Sequence, residues 1–264
     1  MGKAWRIILD SFYDPFYNMA KDEAILFSYK LNLVPTLRVY SWSFPSITLG
    51  YKQKAQEVLN IEKCYKENVP FVRRITGGGA ILHCQELTYC IVCSKNDLEI
   101  PYNIKESYKR LNSFIIRFYK SLGLEAFFAL ENNPAIRAKR VDFCLSSCEP
   151  FDIVIDGRKI GGNAQRRLKD IIFQQGFIPF VVKWDLVQRL FKNNPLSSNL
   201  RTTSLNEIAG RNNEFISLCK TFIKTFIDTF RISFNFRDIT DEEKTILNEL
   251  IESKYTQDKW NLNY

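Results

Sequence analysis

The chain has 264 residues, of which 45% are hydrophobic and 25% charged, which argues against a disordered, fibrous or repeat protein. Its apolar runs are far shorter than the roughly 20 residues of a membrane-spanning helix, and the N-terminus lacks the apolar stretch of a secretory signal, so we expect a cytoplasmic protein without a membrane span. The net charge of +8 indicates an acidic partner, but the basic residues form no dense tract or nucleic-acid motif, which argues against nucleic acid.

The first part of the chain predicts short strands interrupted by two helices. In chain order these are a strand near 5–9, a helix over 17–31, strands over 36–40 and 46–50, a helix near 60–68, and strands over 71–74 and 87–93. Asn18 is the expected N-cap of the first helix. A turn at Pro45 predicts that the second and third strands form a hairpin. We expect 87–93 to be the partner strand of 71–74.

The second part predicts a long helix, a hairpin and further helices. In chain order these are a helix over 104–122 that ends at Gly123, an irregular loop over 132–150, a hairpin over 152–160, strands near 171–182, and helices near 185–191, 214–229 and 240–253. Short hairpins alternating with isolated helices predict an α+β fold, with a mixed or antiparallel sheet and helices on one side of it. We expect one domain over 1–264, with about 238–264 as a C-terminal helical extension.

The seven cysteines and the single histidine, His83, limit the possible metal chemistry. The odd number of cysteines and their irregular spacing predict free thiols, and one histidine excludes a zinc centre built on several imidazoles. Cys90 and Cys93 lie in the predicted strand 87–93, where residues three apart point to opposite faces. The sequence therefore predicts no metal site.

A glycine-rich segment, Arg73 to His83, is the first candidate binding element. Gly77, Gly78 and Gly79 allow close approach of the backbone to a ligand and offer amide donors. A glycine triplet alone is more often a flexible turn. The flanking arginines and His83 favour a binding loop.

Two further segments bring a lysine and two cysteines close together in sequence. The hairpin segment over 156–167 contains Lys159 among small residues, where it can hydrogen-bond a ligand carbonyl or lower the pKa of a neighbouring thiol. Taken alone, an exposed lysine is the simpler interpretation. The loop over 142–152 contains Cys144 and Cys148 and leads directly into that hairpin.

These segments together resemble the lipoate/biotin protein ligase superfamily nearly end to end. The resemblance also includes Asn18-Met19-Ala20-x-Asp22-Glu23-Ala24 and Lys254-Tyr255 to Trp260-Asn261. Within the superfamily, the chain is most similar to the cysteine-dependent octanoyl-acyl-carrier-protein:protein N-octanoyltransferases, on Arg73-Arg74-x-Thr76-Gly77-Gly78, Leu82-His83-x-Gln85-Glu86-Leu87-Thr88-Tyr89 and Gly157-Arg158-Lys159-x-x-Gly162-x-Ala164-Gln165. The resemblance implies the biotin/lipoate protein ligase catalytic-domain fold.

The resemblance also implies a reaction of lipoate assembly that requires no cofactor. Cys144 would attack the octanoyl thioester of acyl carrier protein, and an acceptor lysine of the glycine-cleavage H protein or a lipoyl domain would attack the acyl-enzyme. Lys159 would stabilise the thiolate or carry the proton. The implied substrate-binding residues are Arg73, Arg74, Thr76, Gly77, Gly78, Gly79, His83, Gly162, Asn163 and Ala164, with His83 lining the pocket rather than acting as a base.

Several alternatives stay open at this point. The chain has Cys84 where the family usually has aspartate, and Cys148-Glu149-Pro150-Phe151-Asp152 where it has Pro-Ser-x-Tyr-Glu, so Cys148 is an alternative nucleophile. An ATP-dependent lipoate protein ligase, using ATP and Mg to form lipoyl-adenylate, has a loop similar to Thr76-Gly77-Gly78-Gly79-Ala80. A non-catalytic basic binding protein is a more distant alternative. The sequence does not decide between octanoyl and lipoyl, or the oligomeric state.

Overall fold

The computed structural model describes residues 3–135, 142–193, 202–210 and 214–262. Its strands are β1 (Trp5–Tyr13), β2 (Thr36–Trp42), β3 (Ser46–Leu49), β4 (Phe71–Arg73), β5 (Ile81–His83), β6 (Gln85–Ser94), β7 (Phe127–Phe128), β8 (Ile153–Ile155), β9 (Arg158–Lys159), β10 (Gly162–Leu168), β11 (Ile171–Val181) and β12 (Phe234–Phe236). Its α-helices are α1 (Pro15–Asn32), α2 (Ala55–Val58), α3 (Ile61–Lys66), α4 (Ile104–Ser121), α5 (Ala129–Asn132), α6 (Trp184–Leu190), α7 (Leu205–Ala209), α8 (Phe215–Phe230), α9 (Asp241–Leu250) and α10 (Asp258–Asn261).

A six-stranded sheet forms the centre of the fold, in the order β10-β11-β6-β2-β1-β12. Strand β1 runs parallel to β2 and β12, whereas β2, β6, β11 and β10 pair antiparallel in turn. Two three-stranded sheets, β4-β3-β5 and β7-β8-β9, complete the strand pairing. The predicted mixed sheet flanked by helices is confirmed.

The predicted pairing of β2 with β3 is wrong, and so is that of β4 with β6. Both edges of β2 are occupied by β1 and β6, so β3 has no free edge of β2 to pair with. Strand β3 instead pairs with β4 in parallel and with β5 antiparallel. The glycine segment therefore connects two strands of a separate small sheet, β4 and β5.

Helices cover both faces of the six-stranded sheet, not one side as predicted. On one face, Ile7 packs in a core that includes residues of α4 and α8, and on the other Ile8 packs with residues of α1 and α9. Neighbouring residues on a strand point to opposite faces, so two apolar residues in succession require cover on both sides. Cys93 and Cys90 lie in these two cores respectively, which confirms their predicted opposite orientation.

The first helix begins earlier than predicted. Asp14 is its N-cap and accepts hydrogen bonds from the amides of Phe16 and Tyr17 at 2.9 and 3.0 Å. Pro15 fits the first helical position because its missing N–H would have no partner there. The prediction of Asn18 as N-cap is therefore wrong: Asn18 lies within the helix and donates to the carbonyl oxygens of Tyr13 and Ser41. At the end of α4, Gly123 has the left-handed φ of +79° expected of a terminator.

The C-terminal helices pack against α1 and the glycine segment. Glu23 of α1 accepts hydrogen bonds from Lys254 at 2.6 Å and from the Tyr255 hydroxyl at 2.6 Å. Farther along the chain, the Asn261 side chain accepts from the Arg73 amide at 2.9 Å. Within the described ranges, no helix is both long and apolar enough to span a bilayer.

Candidate active site

The three candidate segments meet around one cavity of about 190 Å³. Ala80, which follows the glycine triplet, pairs with Phe143 in a short parallel bridge. The Ala80 amide donates to the Asp142 carbonyl at 2.7 Å, and the Cys144 amide donates to the Ala80 carbonyl at 2.8 Å. These bonds hold the cysteine loop beside the glycine loop.

Lys159 reaches into the cysteine loop from strand β9 and is buried. Its ammonium lies 2.7 Å from Asp152 Oδ2 and donates to the carbonyl oxygens of Cys144 and Ser147 at 3.0 and 3.1 Å. The same nitrogen lies 3.8 Å from Cys144 Sγ. One cation therefore organises the turn that carries the thiol and also contacts the thiol itself.

Burial and the neighbouring charges together keep the lysine protonated and the thiol neutral. Burial would lower the pKa of Lys159, but the charge of Asp152, its hydrogen bond and the neighbouring thiols together raise that pKa above its ordinary value, with Asp152 contributing most. Burial raises the pKa of Cys144, and the positive charge of Lys159 only partly opposes this. The resting site is thus a thiol beside an ammonium, and the ammonium is placed to stabilise a thiolate once it forms.

Cys148 is a second half-buried thiol in the same loop. Burial and then the charge of Asp152 raise its pKa to about 12. Its sulfur contacts the Glu149 carbonyl at 3.9 Å, and within the described residues Lys159 makes its thiol contact with Cys144 rather than with Cys148. The geometry therefore favours Cys144 as the nucleophile.

Arg74 shapes the glycine loop. Its guanidinium donates to the carbonyl oxygens of Gly77, Gly79 at 2.8 Å and Thr48 at 3.2 Å, and burial lowers its pKa to about 10. Gly78 has a φ of +87°, a conformation that favours glycine. The loop backbone is thus fixed from within by a buried cation.

Arg73 and Thr76 do not line the cavity. Arg73 points away from it and donates to the carbonyl oxygens of Gly50, Trp260 and Asn261. Thr76 donates to Gln175 at 2.8 Å. The structure therefore gives these two predicted substrate-binding residues structural contacts. Arg73 faces away from the cavity because it is the neighbour of Arg74, and adjacent residues of an extended segment point to opposite sides.

The other predicted residues line the cavity, namely Arg74, Gly77, Gly78, Gly79, His83, Gly162, Asn163 and Ala164, together with Cys144 and Lys159. His83 Nε2 lies 2.8 Å from Thr48 Oγ1 and its Nδ1 lies 2.6 Å from Glu86. Its ring stacks on Trp42 with a centroid distance of 3.9 Å. Because both ring nitrogens already have partners, the geometry suits a wall residue rather than a base.

Much of the remaining wall is apolar or aromatic, formed by Met19, Tyr40, Trp42, Ile81 and Phe177. A cavity of about 150 Å³ holds a benzene molecule, so this one has room for a somewhat larger apolar group. Gly162 adjoins the thiol: a Cβ there would lie 3.1 Å from Cys144 Sγ. An acyl chain can therefore lie along the aromatic wall with its carbonyl carbon near the sulfur.

Sequence reasoning assigned no role to Asp152, the partner of Lys159. A usable signal existed, because Val154 pairs with Lys159 in the hairpin and residues two apart on a strand share a face. Tyr108 and Trp42 were also missed as lining residues. Among the described residues, no group of three or more His, Cys, Asp or Glu side chains is arranged to hold a metal ion.

The family model of the lipoyl protein ligase A/B catalytic domain matches residues 14–227. The octanoyltransferase LipM of Geobacillus kaustophilus is 32% identical over 98% of this chain and 98% of its own. The octanoyltransferase LipM of Bacillus subtilis is 30% identical, again over 98% of each chain.

Solved structures with the same fold are lipoate protein ligases. A putative lipoate protein ligase from T. acidophilum with bound lipoic acid superposes with a TM-score of 0.82 at 24% identity, covering 99% of both chains. A lipoate-protein ligase A bound with ATP superposes with a TM-score of 0.80 at 23% identity, covering 98% of both. At this identity the likeness concerns the fold alone, and it agrees with the α+β architecture predicted from the sequence.

Proposed function

The chain belongs to the family of lipoyl protein ligase A/B catalytic domains, and we propose that it is an octanoyltransferase of lipoate assembly that works through a Cys144 thioester. The observation that carries this proposal is the contact between Lys159 Nζ and Cys144 Sγ at 3.8 Å beside an apolar cavity. Full-length relatives named octanoyltransferase support the acyl group and the reaction class.

In the first step, Cys144 Sγ attacks the carbonyl carbon of an octanoyl thioester carried by acyl carrier protein. The bond from that carbon to the donor sulfur breaks, and the proton of Cys144 leaves with the donor as its thiol. Lys159 stays protonated throughout, and its charge stabilises the thiolate character that develops on the attacking sulfur. Asp152 supports this role because it keeps Lys159 charged.

In the second step, the amine of an acceptor lysine attacks the acyl-enzyme, the carbon–sulfur bond to Cys144 breaks, and an amide forms. We propose a lipoyl domain or the glycine-cleavage H protein as the acceptor. One solved structure with this fold belongs to an archaeal lipoylation system, described as a bipartite lipoate protein ligase and its E2 lipoyl domain from Thermoplasma acidophilum. The net charge of +8 would steer acidic carrier and acceptor proteins to the enzyme.

The experiment that tests this function compares two sources of the acyl group. The purified enzyme is mixed with a lipoyl-domain acceptor and either octanoyl acyl carrier protein without ATP, or free octanoate or lipoate with ATP and Mg. We expect the acceptor lysine to gain an octanoyl group from the carrier protein alone. Modification only with the free acid and ATP would contradict the proposal and favour a ligase.

A further inference from the structure

A carboxylate at the mouth of the cavity has no role in the steps described above. Glu149 lines the cavity and is exposed. Its amide donates to Asp152 Oδ2 at 2.7 Å, and its carbonyl accepts from the Asp152 amide at 3.0 Å. Asp152 Oδ2 thus binds both the Glu149 backbone and the Lys159 ammonium, so Glu149 is anchored directly beside the catalytic pair.

The second step of the proposed reaction also needs a base that removes a proton from the acceptor lysine. A lysine side chain with a pKa near 10.4 arrives as an ammonium ion and must lose a proton before its nitrogen can attack. Lys159 cannot accept that proton, because Asp152 holds it in the charged form. Asp152 in turn is already paired with Lys159. In the described part of the chain, the Glu149 carboxylate makes no ion pair or side-chain hydrogen bond.

The cavity offers the amine a polar entrance that is separate from its apolar wall. On strand β10, Ala164 lies opposite Gln175, which reaches α1 by donating to Asp22. Gln165 points to the other face, where its side chain donates to Gln174. Met19, Tyr40 and Trp42 of the apolar wall belong to the core on the α1 side, whereas Asn163 and Gln165 lie on the opposite face of β10, the face of Tyr89 and α4. Tyr108 of α4, Ser147, Glu149 and Asp152 complete the polar lining of the cavity. An acyl chain can therefore bind along the apolar wall while an incoming ammonium ion binds against the polar lining.

We infer that Glu149 binds the ammonium of the acceptor lysine at this entrance and takes up one of its protons, an inference that rests on the proposed octanoyl transfer. The neutral amine then forms the bond to the acyl carbon, and the bond from that carbon to Cys144 Sγ breaks. The second proton of the nitrogen passes to the departing sulfur and restores the Cys144 thiol. The products of this step are the amide, the Cys144 thiol and a protonated Glu149. Glu149 then loses its proton to solvent through the open mouth of the cavity.

The electrostatics of the entrance suit this role. Partial desolvation, and then the negative charge of Asp152, raise the pKa of Glu149 above the ordinary glutamate value. A higher pKa makes a carboxylate a better proton acceptor at neutral pH. The negative charge of Glu149 itself attracts an ammonium ion to the mouth of the cavity.

The test separates the two steps and compares two nucleophiles. Octanoyl-enzyme is formed with octanoyl acyl carrier protein and isolated, and single-turnover transfer is followed to a lipoyl-domain lysine and to hydroxylamine, which is neutral at neutral pH. The variants are Glu149→Gln, Glu149→Asp and, as a matched control for lost charge, Glu62→Gln on the exposed surface of α3. Each variant is isolated as its own octanoyl thioester, so that only the second step is measured.

We expect Glu149→Gln to slow transfer to lysine by about 100-fold or more, the usual range for a lost general base, while transfer to hydroxylamine stays close to that of the wild-type enzyme. Glu149→Asp should recover part of the lysine rate, and Glu62→Gln should match the wild type. Equal slowing with both nucleophiles, or an unchanged lysine rate, would overturn the inference. A wild-type enzyme that forms no octanoyl thioester would overturn the proposed function and this inference with it.

Discussion

Asp152 Oδ2 lies 2.7 Å from Lys159 Nζ, and both side chains are almost fully removed from solvent. A buried ammonium without a counter-ion would tend to lose its proton, because burial disfavours the charged form. The ion pair therefore decides which protonation state the lysine presents to Cys144. In the proposed mechanism, Lys159 therefore acts as a fixed positive charge rather than as a proton carrier.

Replacing Asp152 with asparagine should expose this dependence. In Asp152→Asn, burial acts on Lys159 without the opposing charge, so its pKa falls. As the pH rises, the rate of acyl-enzyme formation should therefore begin to fall at a lower pH in the variant than in the wild type. Once Lys159 is neutral, this rate should be lower by about tenfold or more. The measurement is single-turnover acylation at a series of pH values from about 6 upwards, where carboxylates are ionised and an ordinary lysine is still protonated. An unchanged alkaline limb would contradict the assigned role of Asp152.

Two glycines on neighbouring strands should respond differently to an added methyl group. In Gly162→Ala the new Cβ lies 3.1 Å from Cys144 Sγ and 3.3 Å from the Phe177 ring, so acylation should slow while the fold is retained. In Gly176→Ala the Cβ overlaps the side chains of Asn163 and Tyr89. That overlap should lower the free energy of unfolding by about 1–3 kcal/mol.

Urea titration and acylation rates of both variants check this contrast. The two variants differ in which side chain the methyl group meets, so they serve as controls for each other. A Gly162→Ala enzyme that acylates at the wild-type rate would show that an acyl carbonyl does not pass this position.

Asp22 should be required for stability rather than for chemistry. It is fully buried and accepts hydrogen bonds from Arg38 at 2.7 Å, the Tyr40 hydroxyl at 2.8 Å and Gln175 at 2.7 Å. Asp22→Asn removes a negative charge that compensates the buried positive charge of Arg38. This loss should lower the free energy of unfolding by about 3–5 kcal/mol. Asp228→Asn, which removes an exposed partner of Lys224, should cost about 0–1 kcal/mol. Similar losses in the two variants by urea titration would refute this assignment.

Hydrophobic spacing predicted the strands and helices whose apolar residues alternate clearly, and it missed those without such a pattern. Strand β10 carries Arg166 and Arg167 and is half-exposed at the sheet edge, so its residues show no apolar alternation. Strand pairing was less predictable than the strands themselves. Nothing local in β3 indicates that both edges of β2 are already occupied by partners distant in sequence.

The site was predicted mainly from the resemblance, and its errors follow from side-chain direction. Arg73 and Arg74 both belong to the motif, yet only Arg74 faces the cavity, because successive residues on a strand point to opposite sides. The Asp22-Glu23 pair of the α1 motif proves to be structural, holding Arg38 and the C-terminal Lys254. The roles proposed for Asp152 and Glu149 depend on a turn whose hydrogen bonds the sequence does not specify.

The most direct test of the proposed function is the intact mass of the enzyme after mixing with octanoyl acyl carrier protein in the absence of ATP. We predict a single octanoyl adduct on the wild-type enzyme and on Cys148→Ser, and none on Cys144→Ser. An adduct that persists in Cys144→Ser and disappears in Cys148→Ser would assign the chemistry to the other thiol. A wild-type enzyme without any adduct would contradict the thioester mechanism.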